Sequence, residues 1–273
     1  MSSVANLTTC TFETVSVDRN GDIIDRQPGS AQCLTESLGE LVSLDLVLIP
    51  GGTFMMGDRQ HHQDEQPIHQ VTLPPFYIGK YPITQAQYRR VMGEHKDSGL
   101  GWNYPIENIS WHDALEFCTK LSQQTGRQYT LPSESQWEYA CRAGTTTAFH
   151  FGDTITPDLA NYNGEYPYAG APQGENRGQA TPVGSFFPND FGLYDMHGNV
   201  WEWCLDGYQA SYQGAPTDGS AWIDLSSTQN DKRVMRGGSW DYVARGCRSA
   251  VRCSLAPGIR IGGCGLRMVL DGD

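Results

Sequence analysis

Cysteine is the residue type here with the widest chemical reach, because a thiolate can attack a substrate, bind a soft metal or be oxidised. Eight occur, at positions 10, 33, 118, 141, 204, 247, 253 and 264. No two form a CxxC pair and none has a His at the spacing of a zinc site, so free thiols are expected. Histidine and carboxylate crowd together at His61-His62-Gln63-Asp64-Glu65, with His69 close behind. Adjacent histidines in a polar loop are ordinarily solvated, and no metal is expected there. There is no G-x-S-x-G elbow, no P-loop and no G-x-G-x-x-G following a strand. No catalytic residue set emerges from these patterns.

The elements that would position such residues belong to a loop-rich chain. Its 273 residues suffice for one large domain with a small appendage. Gly supplies 31 positions and aromatics 11%, against 18% charged residues, a balance that suits irregular structure held by aromatic packing. The net charge of −12 argues against a nucleic-acid partner or an anionic membrane, both of which draw affinity from Lys and Arg. The first residues, MSSVANLTTC, lack a basic start and an apolar stretch, and no run is long enough to span a bilayer; a cytoplasmic protein is the expectation.

Alternation from Thr8 to Asp25 about Arg19-Asn20-Gly21-Asp22 predicts a β-hairpin. Arg26 to Gln32, with Pro28 and Gly29, reads as a linker, so residues 1–42 form an expected N-terminal extension to a main domain over 43–273. Leu46 to Pro50 reads as a buried strand. Helices are predicted from Thr84 to about Met92, from Ser110 to about Thr125, and from Ser133, with a capping box to Gln136, to Gly144. Beyond Gly144, short aromatic strands and functional loops are expected.

Five blocks then stand in order: Pro50–Gly57, Tyr81–Tyr88, Leu131–Ala140, Phe191–Trp203 and Arg236–Trp240, closing with Gly265-Leu266-Arg267. Together they resemble the formylglycine-generating-enzyme (sulfatase-modifying factor) family over roughly residues 45 to 270. The resemblance implies an α+β, C-type-lectin-like fold with little regular secondary structure. Trp137, Trp201 and Trp203 are expected in its core. Oxidising members of that family bind copper(I) with two thiols after Gly-Gly-Ser; here the later position is Cys247 and the earlier is Tyr242. A lone thiolate cannot reproduce a two-sulfur site, so no oxidase activity is expected, and Cys247 reads as a buried small apolar residue. A metal-dependent oxidase acting on a substrate cysteine is the alternative. The resemblance also implies a structural calcium ion held by Asp195, Gly198, Val200 and Glu202, with a second site near Asn161, Tyr162 and Glu175.

Bacterial relatives carry an Asn-rich stretch after Gly-Gly-Ser-Trp. Here the fixed points Arg245, Cys247-Arg248-Ser249-Ala250, Arg252, Arg260 and Gly265-Leu266-Arg267 remain, and the arginines are expected to pair with acids or carbonyls as scaffold. Between them stand Asp241, Tyr242, Val243, Gly246, Val251, Cys253, Ser254, Leu255, Ala256, Gly258, Ile259, Ile261, Gly262 and Gly263. Randomising the two adenines of an Asn codon yields most such residues and never Lys, Glu, Gln, Trp or Met. None of those five occurs from Asp241 to Cys264, where composition would place roughly four. The tract thus resembles that of the variable proteins of diversity-generating retroelements. The implied function is binding, with these positions as contacts and a protein or peptide as the ligand.

Overall fold

The opening alternation becomes an antiparallel hairpin of β1 (Asn6–Val17) and β2 (Ile23–Gly39) in the computed structural model, which describes residues 6–39, 41–93, 99–223 and 231–271. At its turn Gly21 has φ +89°, and the Asp18 carboxylate accepts from the N–H groups of Asn20 and Asp22 at 2.8 and 3.0 Å. The linker expected at Arg26–Gln32 is instead strand. β3 (Val42–Ile49) pairs with β2 only from Cys33 onward, so the missing N–H of Pro28 breaks no second ladder. Gly29 lets the Phe12 ring lie on the backbone, where a Cβ would stand 2.3 Å from it. The hairpin also corrects the thiol expectation: Cys10 and Cys33 face each other diagonally, Cα atoms 6.0 Å apart, and form a disulfide. Cross-strand register brings them together, and cysteine spacing does not reveal register. The other six cysteines are free.

β4 (Gly52–Met56) and β5 (His69–Leu73) make a separate two-stranded ribbon, followed by β6 (Phe76–Gly79) and β7 (Tyr129–Thr130). Towards the C-terminus come β8 (Trp201–Gly207), β9 (Arg233–Arg236), β10 (Cys253–Leu255), β11 (Cys264–Gly265) and β12 (Val269–Asp271). The larger sheet runs β1-β2-β3-β6-β12-β7 and the second β10-β9-β8-β11. Because β12 inserts between β6 and β7, antiparallel to both, the segment after β9 must return the chain to the centre of the first sheet.

α1 (Gln85–Met92), α2 (Trp111–Thr125) and α3 (Glu134–Arg142) start behind Thr84, Ser110 and Ser133, and each start is a complete capping box. α3 stops one residue before the expected glycine, with Ala143 left-handed at φ 45°. Alternate residues of β3 face opposite sides of the sheet. Leu44 and Leu46 pack with Tyr88, Phe117 and Leu121 from α1 and α2; Val47 and Ile49 pack with Trp137, Ala140 and Cys141 from α3. The sheet is therefore buried on both faces, and Trp137, Trp201 and Trp203 lie in the core as expected.

Of the short aromatic strands expected beyond Gly144, β8 with Trp201 and Trp203 is formed, and none precedes it among the described residues from Gly144 on. Between residues 143 and 200 the described backbone makes isolated bridges, and side chains do the pairing: Asn189 donates to the carbonyls of Ala140 and Cys141 and accepts from the N–H groups of Phe191 and Leu193. Phe149, Phe151, Ile155 and Tyr162 form a third cluster there. No helix among the described residues is long and apolar enough to cross a membrane.

Buried ion pairs tie these layers together. Arg236 of β9 reaches Glu134 at 3.1 Å and also Glu138, Arg252 binds Glu134 through two nitrogens at 2.6 and 2.8 Å, and Arg267 holds Glu202. Arg248, 1% exposed at its side chain, holds the fully buried Glu65 at 2.7 and 3.1 Å. Removing one member of such a pair strands a charge in the interior. Arg248→Met is expected to cost about 3–5 kcal/mol in urea unfolding, and Arg248→Met/Glu65→Met to recover most of it.

Candidate functional site

The tract leaves β9 through Gly237 and Gly238, at φ +100° and +81°. A Cβ on Gly238 would stand 2.4 Å from the Cys247 sulfur, so glycine is needed for the chain to double back over itself. A single 3₁₀ turn over Ala244–Cys247 follows, then β10 on the edge of the second sheet, then a loop through Gly258–Gly262 into β11. The fixed arginines keep this path: Arg248 and Arg252 are anchored as above, Arg267 also donates to the carbonyls of Gly79 and Tyr194, and Arg260 clasps Asp113 at 2.7 Å twice. Arg245 is exposed. The scaffold role expected of the arginines is met by these four.

The fourteen expected contact positions divide by burial. Asp241, Tyr242, Gly258, Ile259, Ile261 and Gly262 are exposed, and Tyr242, Ile259 and Ile261 keep 44–45% of their surface. Val243, Cys253, Ser254, Leu255 and Ala256 are half-buried. Gly246, Val251 and Gly263 are interior, which narrows the accessible surface to the other eleven. A Cβ on Gly246 would meet the Tyr242 ring at 2.1 Å, Gly263 is left-handed at φ +72°, and Val251 packs beneath β10 in the main core. At Gly258 and Gly262, by contrast, a Cβ would have nothing within 4 Å.

Contacts outside the tract complete this face. The Tyr242 ring stands edge-on against the buried Trp201, centroids 5.3 Å apart at 79°. Its carbonyl accepts from Asn163 N–H at 2.9 Å, and Asn163 also bridges Val243. Glu107 accepts from Trp240 Nε1 at 3.2 Å and from Gly263 N–H at 2.9 Å, which seats the Gly258–Gly262 loop beside Asp241. Asn163 and Glu107 were missed by sequence reasoning, because their sequence distance from the tract carries no local signal. A cavity of about 350 Å³ between Val42, Tyr81, Gln87 and Trp102 is lined by no tract residue.

Oxidase chemistry does not fit these residues. Cys247 is completely buried, and burial pushes its thiol up to about 12, so it is protonated at neutral pH. Its sulfur lies 3.9 Å from the Val243 carbonyl, and the position of the expected second thiol carries the Tyr242 phenol. The donor pair that a soft copper ion needs is not assembled.

The calcium residues fit in part. Asp195 is buried at φ +57°; one carboxylate oxygen accepts from Gly184 N–H at 2.7 Å and the other has no partner, a vacancy a cation could fill. Desolvation raises its carboxyl to about 6. Gly198 and Val200 are buried beside it in sequence, but both oxygens of Glu202 are committed, to Arg267 at 2.8–3.1 Å and to Trp137 Nε1 at 2.6 Å. An ion at Glu202 would stand against a guanidinium, so the four residues do not fit one calcium ion as a set. Of the second set, Asn161 has a buried unpartnered oxygen, whereas the Glu175 side chain is 65% exposed beside Arg177. In the histidine loop, Asp58, His61 and Glu65 converge within 4.8 Å, but Arg248 already neutralises both carboxylates.

Comparison with known proteins agrees with this architecture. The sulfatase-modifying factor enzyme 1-like domain matches residues 40–272. Chaperone protein LppX of Paenibacillus barcinonensis is 31% identical over 78% of this chain and 84% of its own length. The formylglycine-generating enzyme of Mus musculus is 28% identical over 89% of this chain and 79% of its own, and the inactive C-alpha-formylglycine-generating enzyme 2 of Bos taurus 28% identical over 77% and 80%. Among solved structures, PvdO from Pseudomonas aeruginosa matches with a TM-score of 0.75 at 30% identity, covering 87% of this chain and 98% of that one. Treponema denticola variable protein 1 matches with 0.73 at 23% identity over the same shares, a likeness of fold. The fold is thus α+β and C-type-lectin-like, of the formylglycine-generating-enzyme kind.

Asp195 also sets a pH dependence, in company with Asp206, which accepts from the N–H groups of Glu134 and Trp222 at 2.7 Å and is raised by desolvation and the Glu134 charge to about 7. A folded-state pKa above the unfolded one stabilises the protein below the unfolded value, and that stabilisation is lost as pH rises through the folded value. In chelated buffer Tm is expected to fall between about pH 4 and about pH 7, and less steeply for Asp195→Asn. If Asp195 holds a cation, millimolar calcium restores Tm at the upper pH in the natural chain and not in Asp195→Asn; an equal response of the two removes the site.

Proposed function

The chain belongs to the sulfatase-modifying factor enzyme 1-like family, and from that premise we propose that it is a binding member and not an oxidase: a variable protein that displays the tract Asp241–Cys264 to a protein or peptide ligand. One observation carries this reading. Along a single irregular segment, eleven of the fourteen residues compatible with rewritten Asn codons are exposed or half-buried, while Arg248 and Arg252 between them are locked to the buried Glu65 and Glu134. Tyr242, Ile259 and Ile261 offer apolar surface that the fold does not consume, and Gly258 and Gly262 have room for any side chain.

Family membership leaves catalysis open, since one mammalian relative is named an enzyme and another inactive. What supports binding here is the protonated, enclosed Cys247 thiol without a second sulfur. A net charge of −12 supports a protein ligand over nucleic acid or an anionic membrane.

Replacing Ile259, Ile261 and Gly262 together by Asn is expected to leave Tm within about 2 °C, because these positions are exposed and outside the buried clusters. A collapse of the fold would overturn the division into surface and scaffold. The gene offers a second measurement: a nearby repeat should differ from the tract at adenines alone, and changes at third codon positions throughout would exclude diversification of this kind. Copper-dependent oxidation of a cysteine peptide, lost in Cys247→Ala, would install the oxidase reading instead.

A further inference from the structure

The binding face extends past the variable tract. Asn163 to Tyr166 form a turn that abuts Tyr242 and Val243 through the Asn163 N–H and a backbone bridge. The turn is rigidly built: the Asn163 side chain accepts from Glu165 N–H at 3.1 Å, Tyr166 N–H reaches back to the Asn163 carbonyl, and Gly164 exchanges hydrogen bonds with the backbone of Gly174 and Glu175. A Cβ on Gly164 would stand 2.4 Å from the Glu175 carbonyl, so the close approach depends on glycine. What this turn presents outward is Tyr166, 58% exposed, and the exposed Glu165. Neither side chain contributes to the buried clusters.

Tyr242 is equally fixed, held by Trp201 at its edge and by the bare Gly246 backbone below. Two tyrosines on rigid backbone segments that are joined through Asn163 match the anchors that dominate protein interfaces, because each offers large contact area while losing little side-chain freedom. The charge around them is acidic. Arg260 is paired with Asp113 and Arg177 with Glu175, which leaves Asp241, Glu165 and the half-buried Glu107 against Arg245.

We infer that Tyr166 and Glu165 form the part of the interface that lies outside the tract, and that the partner is a protein segment carrying an apolar or aromatic side chain flanked by Lys or Arg. This rests on the binding function proposed above and adds its partner chemistry and two contact residues outside the tract. A basic flank would meet Asp241 and Glu165 with complementary sign, while the apolar group packs on the exposed surface of Tyr242 and Tyr166.

The test is selection of a phage-displayed random peptide library of about twelve residues on the immobilised full chain, followed by calorimetry with the enriched peptides. Peptides pairing Lys or Arg with Trp, Phe or Leu are expected. Tyr166→Ala should weaken binding at least about tenfold, and Glu165→Gln by a few fold, an effect that high salt abolishes. Both side chains are exposed, so the variants should keep the natural Tm, and Trp102→Ala at the separate cavity should bind normally. If Tyr242→Ala weakens binding while Tyr166→Ala and Glu165→Gln do not, the inference fails and the tract function stands. Enrichment of acidic peptides overturns the partner chemistry. A library that yields no binder, or binders indifferent to Tyr242 as well, overturns both.

Discussion

The irregular segment that follows β9 depends on buried guanidinium–carboxylate pairs. Arg236, Arg248, Arg252 and Arg267 reach inward from β9 and the segment that follows it, and Glu65, Glu134, Glu138 and Glu202 wait for them in α3, β8 and the loop before β5. A loop that ran over the surface by itself would have to satisfy its own backbone. Here the arginines also bind carbonyls, as Arg236 does at Ser249 and Ala250, so one planar group both neutralises an acid and fixes a stretch of chain. The pairs demand geometry more than they supply net stability, because desolvating each ion costs nearly as much as its partner returns.

That demand separates two jobs along one segment. Arg248, Arg252, Gly238 and Cys247 point into the fold and tolerate little; Gly258, Ile259, Ile261 and Gly262 point out, and Tyr242 rests on Trp201 with 45% of its surface outward. Regular secondary structure could not divide the labour so finely, since a strand commits alternate residues and a helix a stripe. A short 3₁₀ turn, a three-residue edge strand and a glycine-rich loop allow inward and outward residues to be placed one at a time. The same inward turn keeps Cys247 at zero exposure and its thiol protonated.

The two ends of the chain secure this arrangement. The N-terminal hairpin extends the larger sheet from one edge and carries its own disulfide, while β12 enters the middle of that sheet. The tract is thereby pinned between β9 and a strand whose register is set by β6 and β7 on both sides. Its outward residues can change without any freedom for the backbone to slip.

The sequence by itself determined what depends on neighbours along the chain. The capping boxes at Thr84, Ser110 and Ser133 fixed the helix starts, Asn20-Gly21 fixed the hairpin turn, and the ordered motif blocks fixed the family, because each is a local pattern with a local physical cause. Only the tertiary structure decided the rest. Strand pairing turned an apparent linker into β2 and joined Cys10 to Cys33; Arg267 claimed the Glu202 expected for calcium; and burial withdrew Gly246, Val251 and Gly263 from the surface while Asn163 and Tyr166 were added beside it. Register, charge partners and burial are relations between residues far apart in sequence, and no local pattern records them.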